Sequence, residues 1–185
     1  MTLLPILIMP DPILRAVAKP VAKITKETER LLDNMLATMY DAPGIGLAAP
    51  QIGVGERLVT IDLGERGGAE DGKISDPMKM INPEIIWKSE DTRIYEEGCL
   101  SIPGIHAEIE RPSRVKLRYM DVAGKNREID ADGLLATCIQ HELDHLNGVL
   151  FVDYLSKLKR DMITRKMIKL KRELAESPPD PKHDL

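Results

Sequence analysis

The segment HELDH, residues 141–145, places two histidines four residues apart, with a carboxylate directly after the first. On a helix, which turns about 100° and rises about 1.5 Å per residue, His141 and His145 lie one turn apart on the same face, so both imidazoles can bind one metal ion. Glu142 projects to the side, where it can contact water on that metal and act as a general base. The alternative is that HELDH is only a polar helix face, because such short patterns are frequent by chance.

The two cysteines offer a third ligand. Cys138 precedes the first histidine by three residues, but its short side chain lies about 10 Å along the helix from the second. Cys99 lies in YEEGCLSIPG, a short irregular or edge segment that can present a thiolate from across the site. We therefore expect Cys99 to be the ligand and Cys138 to be a buried thiol. Three protein ligands leave one position for water, as in catalytic sites, and the mixed sulfur and nitrogen set admits Fe²⁺, Zn²⁺, Ni²⁺ or Co²⁺.

The elements that must position these residues can be predicted from periodicity. TKETERLLDNMLATMY predicts a helix over residues 25–40, and residues 132–146 return to helical spacing around the histidines. RLVTIDL, KMINPEIIWKS and RVKLRYMD predict strands, and GERGGAEDGKISDP predicts an exposed hairpin loop. The order helix, several strands, helix, strand, helix predicts an α+β fold, with mostly antiparallel sheets packed around a central metal-binding helix and with N-terminal and C-terminal helices.

Composition excludes several classes of protein. The chain has 185 residues, 43% of them hydrophobic, which is enough for one sizeable core. A net charge of −4 gives no basic field for binding a specific nucleic acid sequence. No stretch approaches about 18 apolar residues, so we expect no membrane span. We expect both cysteines to stay reduced in a cytoplasmic protein.

Three segments taken together resemble the peptide deformylase family: GIGLAAPQ at 44–51, EGCLS at 97–101 and HELDH at 141–145. They match the three motifs of that family in order and spacing, and the similarity extends from PILIMPDPILR nearly to Lys171. The resemblance implies removal of the formyl group from the N-terminal formylmethionine of nascent polypeptides, with release of formate. It also implies one divalent metal per chain, Fe²⁺ most often, with Zn²⁺, Ni²⁺ or Co²⁺ in purified protein.

The resemblance assigns roles to individual residues. The implied metal ligands are Cys99, His141 and His145, and the implied nucleophile is a metal-bound hydroxide. Glu142 is implied to act first as general base and then as general acid. The side-chain amide of Gln51 and the backbone N–H of Leu100 are implied to stabilise the oxyanion that develops in the transition state.

A substrate pocket is implied in the same way. The peptide would lie extended beside the backbone of Ile45 and Gly46, where glycine has no Cβ to block its approach. The walls implied for the methionine side chain are Gly98, Leu134, Thr137, Cys138 and His141, with Tyr95 near the entrance. Glu97 is implied to accept a hydrogen bond from a ligand histidine. Thr137 stands where many members carry isoleucine. His106 stands where some members carry an arginine near the pocket mouth, and it is expected to be a surface residue rather than a ligand.

Residues 1–172 are predicted to form a single catalytic domain, and residues 173–185 to be a disordered tail. The last part of the domain, 157–172, predicts a basic amphipathic helix. Its cations are Lys157, Lys159, Arg160, Arg165, Lys166, Lys169, Lys171 and Arg172. In the family such a helix can dock on the ribosome; the alternative is that these charges form only a solvated face.

Two rival functions remain open at this point. A metallopeptidase that cleaves internal peptide bonds is favoured by HELDH alone, but Cys99 and Gln51 do not favour it. A non-catalytic protein that binds formylated or ribosomal peptides would retain the fold without the chemistry. Loss of Glu142 or of a metal ligand would indicate such a protein, and the sequence retains them all.

Overall fold

The computed structural model describes residues 1–64 and 77–176. Most of the predicted hairpin loop, residues 65–76, and the predicted tail from residue 177 onward lie outside the described residues. The helices are α1 (Lys26–Asp41), α2 (Gly133–Leu146) and α3 (Lys157–Glu176). None of the described helices is both long enough and apolar enough to cross a membrane.

The strands form two antiparallel sheets. They are β1 (Gly46–Ala48), β2 (Leu58–Ile61), β3 (Met78–Lys88), β4 (Thr92–Cys99), β5 (Ile102–Pro112), β6 (Arg114–Met120) and β7 (Asn126–Asp132). The larger sheet has the order β1-β2-β3-β6-β7, and β4 pairs with β5 in a separate hairpin. All of the pairings between these strands are antiparallel, which confirms the predicted α+β class.

The first helix begins where its sequence predicts. The side chain of Thr25 accepts a hydrogen bond from the backbone N–H of Thr28, and the Thr28 side chain accepts one from the backbone of Thr25, so both ends of this capping box are satisfied. Leu32, Met35 and Met39 recur at helical spacing and are fully buried. They pack in a cluster with residues of β1, β2 and β3, which fixes the helix against the end of the larger sheet where β1 lies.

The second helix lies at the centre of the fold. Its apolar residues Ala136, Ile139, Leu143 and Leu146 are buried in one cluster with the larger sheet. The remaining stripe carries His141, Asp144 and His145, which face the β4–β5 hairpin. His141 is 8% exposed and His145 is 1% exposed. A solvated polar face is therefore excluded, and these polar side chains must find partners inside the protein.

Two sequence-based boundaries differ from the structure. The segment between α2 and α3, predicted to be a strand, forms a single 3-10 turn over Phe151–Tyr154. Asp153 accepts a hydrogen bond from the backbone N–H of Leu150, which closes the turn in place of an extended pairing. The last helix continues four residues beyond the predicted end at Arg172, because Glu173, Leu174 and Ala175 are good helix formers.

Candidate metal centre

Three potential metal ligands converge between α2 and the end of β4. Cys99 Sγ lies 3.2 Å from His145 Nε2, and one ligand atom from each of Cys99, His141 and His145 lies within 4.8 Å of the others. Ligand atoms around a tetrahedral ion at bond lengths of about 2.0–2.3 Å are themselves about 3.5 Å apart, so this spacing is suited to a metal ion. The helix supplies two imidazoles from one turn, and the strand supplies the sulfur.

The second cysteine lies beside this cluster but does not join it. Cys138 is buried, and its Sγ lies 3.8 Å from the backbone oxygen of Ile45. Burial raises the pKa of the Cys138 thiol, and the nearby carboxylate of Glu142 raises it further. The structure therefore places Cys138 as a neutral thiol in the wall of the site.

A carboxylate fixes the orientation of one histidine ring. Glu97 Oε2 lies 2.9 Å from His141 Nδ1, so that nitrogen donates to Glu97 and Nε2 remains free to face the cluster. Burial opposes ionisation of Glu97, yet hydrogen bonds from His141 and Arg111 lower its pKa below the ordinary value. Glu97 is therefore ionised and strengthens the ligand character of the imidazole.

Arg111 is a buried residue of this network that could not be predicted from the sequence. Its guanidinium donates to both oxygens of Glu97, with Nη2 3.0 Å from Oε2, and Nη1 donates to Asp144 at 2.8 Å. Asp144 also accepts from the hydroxyl of Tyr154. Burial works against the charged form of Arg111, but Glu97 and Asp144 raise its pKa above the ordinary value. Asp144 is therefore a structural carboxylate.

Glu142 faces the same space from the next position on α2. Its carboxylate is 4% exposed, and Oε2 has no hydrogen-bond partner among the described residues. Burial raises the pKa of Glu142 to about 7. The backbone of β1 approaches this carboxylate closely, because a Cβ added at Gly46 would lie 2.4 Å from Glu142 Oε1 and 2.9 Å from Cys138 Sγ. Only glycine fits at this position without displacing the acid.

Gln51 approaches the cluster from the 3-10 turn that follows β1. Its Oε1 accepts a hydrogen bond from the backbone N–H of Ala48 at 2.8 Å, which fixes the orientation of the amide. Nε2 is thereby directed towards Cys99 Sγ at 3.6 Å and Ser101 Oγ at 3.2 Å. Leu100 directly follows Cys99, so its backbone N–H belongs to the same corner of the site.

A cavity of about 520 Å³ opens onto these residues. The residues expected to bind substrate all line it: Ile45, Gly46, Tyr95, Glu97, Gly98, Leu134, Thr137 and Cys138. So do Gln51, Cys99, Leu100, His141 and Glu142, whereas His145 lies behind them. The sequence did not indicate the contribution of Pro43, Ile102 and Ile105. His106 is exposed as expected, but it also forms part of the cavity rim.

Comparisons with known proteins agree with this geometry. The family model for polypeptide deformylase matches residues 3–161. The peptide deformylase of Rhizobium meliloti (strain 1021) is 54% identical over 169 residues, which cover 91% of this chain and 94% of that protein. The crystal structure of a peptide deformylase from Legionella pneumophila has a TM-score of 0.84 and 45% identity, covering 96% of this chain and all of that one. The crystal structure of the peptide deformylase from Ehrlichia chaffeensis in complex with actinonin has a TM-score of 0.87 and 40% identity, covering 93% of this chain and 99% of that one.

Proposed function

The chain belongs to the polypeptide deformylase family, which is a family of hydrolases, and on that premise we propose that it removes the formyl group from the N-terminal formylmethionine of nascent polypeptides. One observation carries the proposal: a thiol and two imidazoles converge beside a buried carboxylate, whose Oε2 has no hydrogen-bond partner in the part of the chain that the structure describes. All of these groups except His145 line one cavity. Residues 1–172 supply every element of this site and act as a single catalytic domain.

The proposed cofactor is one divalent metal ion per chain, held by Cys99 Sγ and by one nitrogen from each of His141 and His145. The donor set fits such an ion, because the ligand atoms cluster within 4.8 Å and Glu97 already occupies Nδ1 of His141. We propose Fe²⁺ from the family resemblance; the ligands also suit Zn²⁺, Ni²⁺ and Co²⁺. When bound, the ion acidifies a coordinated water and polarises the formyl oxygen.

Glu142 is the proposed proton carrier. It takes a proton from the attacking water as the water oxygen bonds to the formyl carbon, and it delivers that proton to the nitrogen as the C–N bond breaks. Formate and a free amine result. A pKa of about 7 supports this role, because a group that titrates near neutral pH can both accept and donate a proton there.

Gln51 and Leu100 are the proposed donors to the formyl oxygen as it becomes negative. The fixed amide of Gln51, with Nε2 pointing at the Cys99 side of the site, supports this role. Donors aimed at charge that appears only in the transition state contribute about 3–4 kcal/mol each in other hydrolases. The Gln51 amide does not need to reorient during the reaction, since the backbone N–H of Ala48 holds it in place.

The proposed substrate lies extended beside Ile45 and Gly46, with its methionine side chain in the cavity. The walls of that slot are Gly98, Leu134, Thr137, Cys138 and His141, with Tyr95 near the entrance. Their convergence on one cavity supports this placement. Thr137 contributes less polarity than its type suggests, because its hydroxyl donates to the backbone oxygen of Gly133 at 3.2 Å.

The α3 helix is the proposed contact with the ribosome. Within the described residues, Met167 is its only fully buried side chain, and nearly all of the cations between Lys157 and Arg172 are exposed. A cationic surface of this kind can contact phosphate even though the whole chain is acidic.

The proposed activity is tested by formate release. Protein purified anaerobically is assayed with formyl-Met-Ala, with acetyl-Met-Ala and with casein, and its metal is identified by elemental analysis. We expect formate from the first substrate, little acetate from the second and no cleavage of casein. Cleavage of casein without formate release would instead support a metallopeptidase. Metal binding without turnover of any substrate would support a non-catalytic peptide-binding protein.

A further inference from the structure

A second groove adjoins the proposed active site. It has a volume of about 420 Å³ and lies between β5 and the first turns of α3. We call it the α3 groove. Ile105 and His106 line both this groove and the active-site cavity, so the two form one continuous surface.

His106 marks the boundary between the two. It pairs with Gly98 across the β4–β5 hairpin, and a Cβ added at Gly98 would lie 2.7 Å from the imidazole Cδ2. The ring therefore lies over a wall of the active site while its other side borders the α3 groove. Strand residues two apart advance about 7 Å, so an extended peptide that leaves the cavity over His106 reaches Glu108 within about two residues.

The chemistry of the groove indicates what it can bind. Ile105, Ala107 and Ile163 form an apolar floor, are partly buried and pack against the core cluster beneath it. Met162 stands at the rim, 60% exposed, and its flexible side chain can adapt to apolar groups of different shape. Lys159 and Glu108 also line the groove, and neither has an ion-pair partner among the described residues. Both remain available to a polar peptide backbone.

We propose that the α3 groove binds an apolar side chain of the substrate beyond its second residue. The inference rests on the proposed deformylation and extends it to the downstream part of the nascent chain. The groove is too small for a separate protein partner, since it is lined by eight residues and a stable interface uses about 20–30 residues on each side. Because the groove is continuous with the active site, we infer that its occupant is the peptide whose first residue lies in the active site.

The test measures kcat/KM for a set of formylated peptides. Formyl-Met-Ala-Ser-Ser-Ser is compared with three versions that carry leucine at the third, fourth or fifth position, and formyl-Met-Ala serves as the short reference. We expect leucine at one of these positions to raise kcat/KM roughly fivefold, as partial burial of one apolar side chain allows. Met162→Glu should remove that gain and leave formyl-Met-Ala hydrolysis unchanged. Ile168→Glu is the matched control, because Ile168 is also about half exposed on α3 but lies outside the groove.

The inference is overturned if no leucine position raises kcat/KM, or if Met162→Glu keeps the gain. It is also overturned if Ile168→Glu removes the gain equally, because the effect would then belong to the helix surface as a whole. Failure of the wild-type protein to hydrolyse formyl-Met-Ala at all would overturn the proposed function first, and this inference with it. The short reference peptide therefore separates the two failures.

Discussion

Glu97 and His141 are joined by a hydrogen bond of 2.9 Å that determines which ring nitrogen faces the metal site. Glu97 is itself held by Arg111, whose guanidinium donates to both carboxylate oxygens. The imidazole is thus oriented through Glu97, which lines the cavity, and through Arg111, which does not. Part of the support for the candidate site therefore lies behind the cavity wall, at Arg111 and Asp144.

The first prediction concerns this orientation. Glu97→Gln removes the negative charge behind the imidazole and leaves Arg111 paired with Asp144 alone. Since the partners of ligand histidines typically contribute 10–100-fold to metal affinity, we expect the variant to bind its metal about 10–100-fold more weakly. Competition with a chelator of known affinity measures the effect. Glu96→Gln is the control, because Glu96 is the exposed neighbour in the sequence; this variant should bind the metal like the wild type. Equal affinities in the two variants would show that the orientation does not depend on Glu97.

The helices could be predicted from the sequence because their apolar residues recur with a helical period. α1 and α2 both begin and end within one residue of the predicted bounds. The β4–β5 hairpin and β7 could not be predicted in this way, because segments such as TRIYEEGC and NREIDAD contain few apolar residues. Their strand structure depends on partners that lie elsewhere in the fold. β1 could not be predicted either, because it lies in a segment rich in glycine and proline, which disfavour regular strands.

The group of potential metal ligands could be predicted from the sequence, because only a few residue types have side chains that bind metal ions. Its support could not be anticipated in full. Arg111 lies in IERPSRV, where nothing distinguishes it from its charged neighbours. Only the folded chain shows it 5% exposed between two carboxylates. A buried arginine acquires its role from residues distant in the sequence, and such pairings leave no local pattern.

A second prediction follows from the close approach of β1 to Glu142, the proposed proton carrier. Gly46→Ala introduces a Cβ that would collide with the carboxylate of Glu142. Misplacement of a catalytic group by about 1 Å can cost about 100-fold in rate, so we expect kcat to fall roughly 100-fold while metal content is unchanged. Gly55→Ala is the control, because nothing lies within 4 Å of a Cβ built there. Normal kcat in Gly46→Ala would show that Glu142 need not occupy its present position.

The third prediction addresses the chemistry of Glu142 directly. Glu142→Gln preserves the shape of the side chain but cannot carry a proton. A general acid–base group typically accelerates a reaction about 100- to 10,000-fold, so we expect kcat to fall by a factor of at least about 100. Elemental analysis should show a full complement of metal, because Glu142 is not a proposed ligand. A variant that retains substantial turnover would require another group to carry the proton.

The fourth prediction is a pH dependence of stability. Burial raises the pKa of Glu142 from 4.5 to about 7, so the folded state favours the neutral carboxyl group. The resulting stabilisation is fully present below about pH 4.5 and is lost as the pH rises through 7. With the metal removed by a chelator, the free energy of unfolding should therefore fall across this range by about 3 kcal/mol more in the wild type than in Glu142→Gln.

Urea unfolding of the metal-free wild type and the metal-free Glu142→Gln variant, at several values between pH 5 and pH 8, measures this difference. Taking the difference between the two variants cancels the titration of groups they share. Parallel curves would mean that Glu142 titrates at its ordinary pKa and that burial does not tune it. In metal-loaded protein the pH dependence of the two free energies of unfolding should differ less, because a nearby cation favours the ionised carboxylate.

The final prediction concerns α3 and the ribosome. Deleting the helix would be a poor test, because Met167 is fully buried and packs in a core cluster with Ile163 and Leu170. Replacing four cations by glutamine keeps the helix, since glutamine is a good helix former, and removes only charge. The four are Arg165, Lys166, Lys169 and Arg172. If they contact ribosomal phosphate, co-sedimentation with ribosomes should weaken and its dependence on salt concentration should become shallower.

The matched control neutralises four exposed cations around the start of α1, namely Lys19, Lys23, Lys26 and Arg30. Both variants change the net charge equally, so a loss confined to the α3 variant identifies a surface rather than a general charge effect. Hydrolysis of formyl-Met-Ala should be normal in both, because none of the eight residues lines the cavity. Equal loss of co-sedimentation in the two variants would assign the binding to overall charge, and the cations of α3 would then be a solvated face.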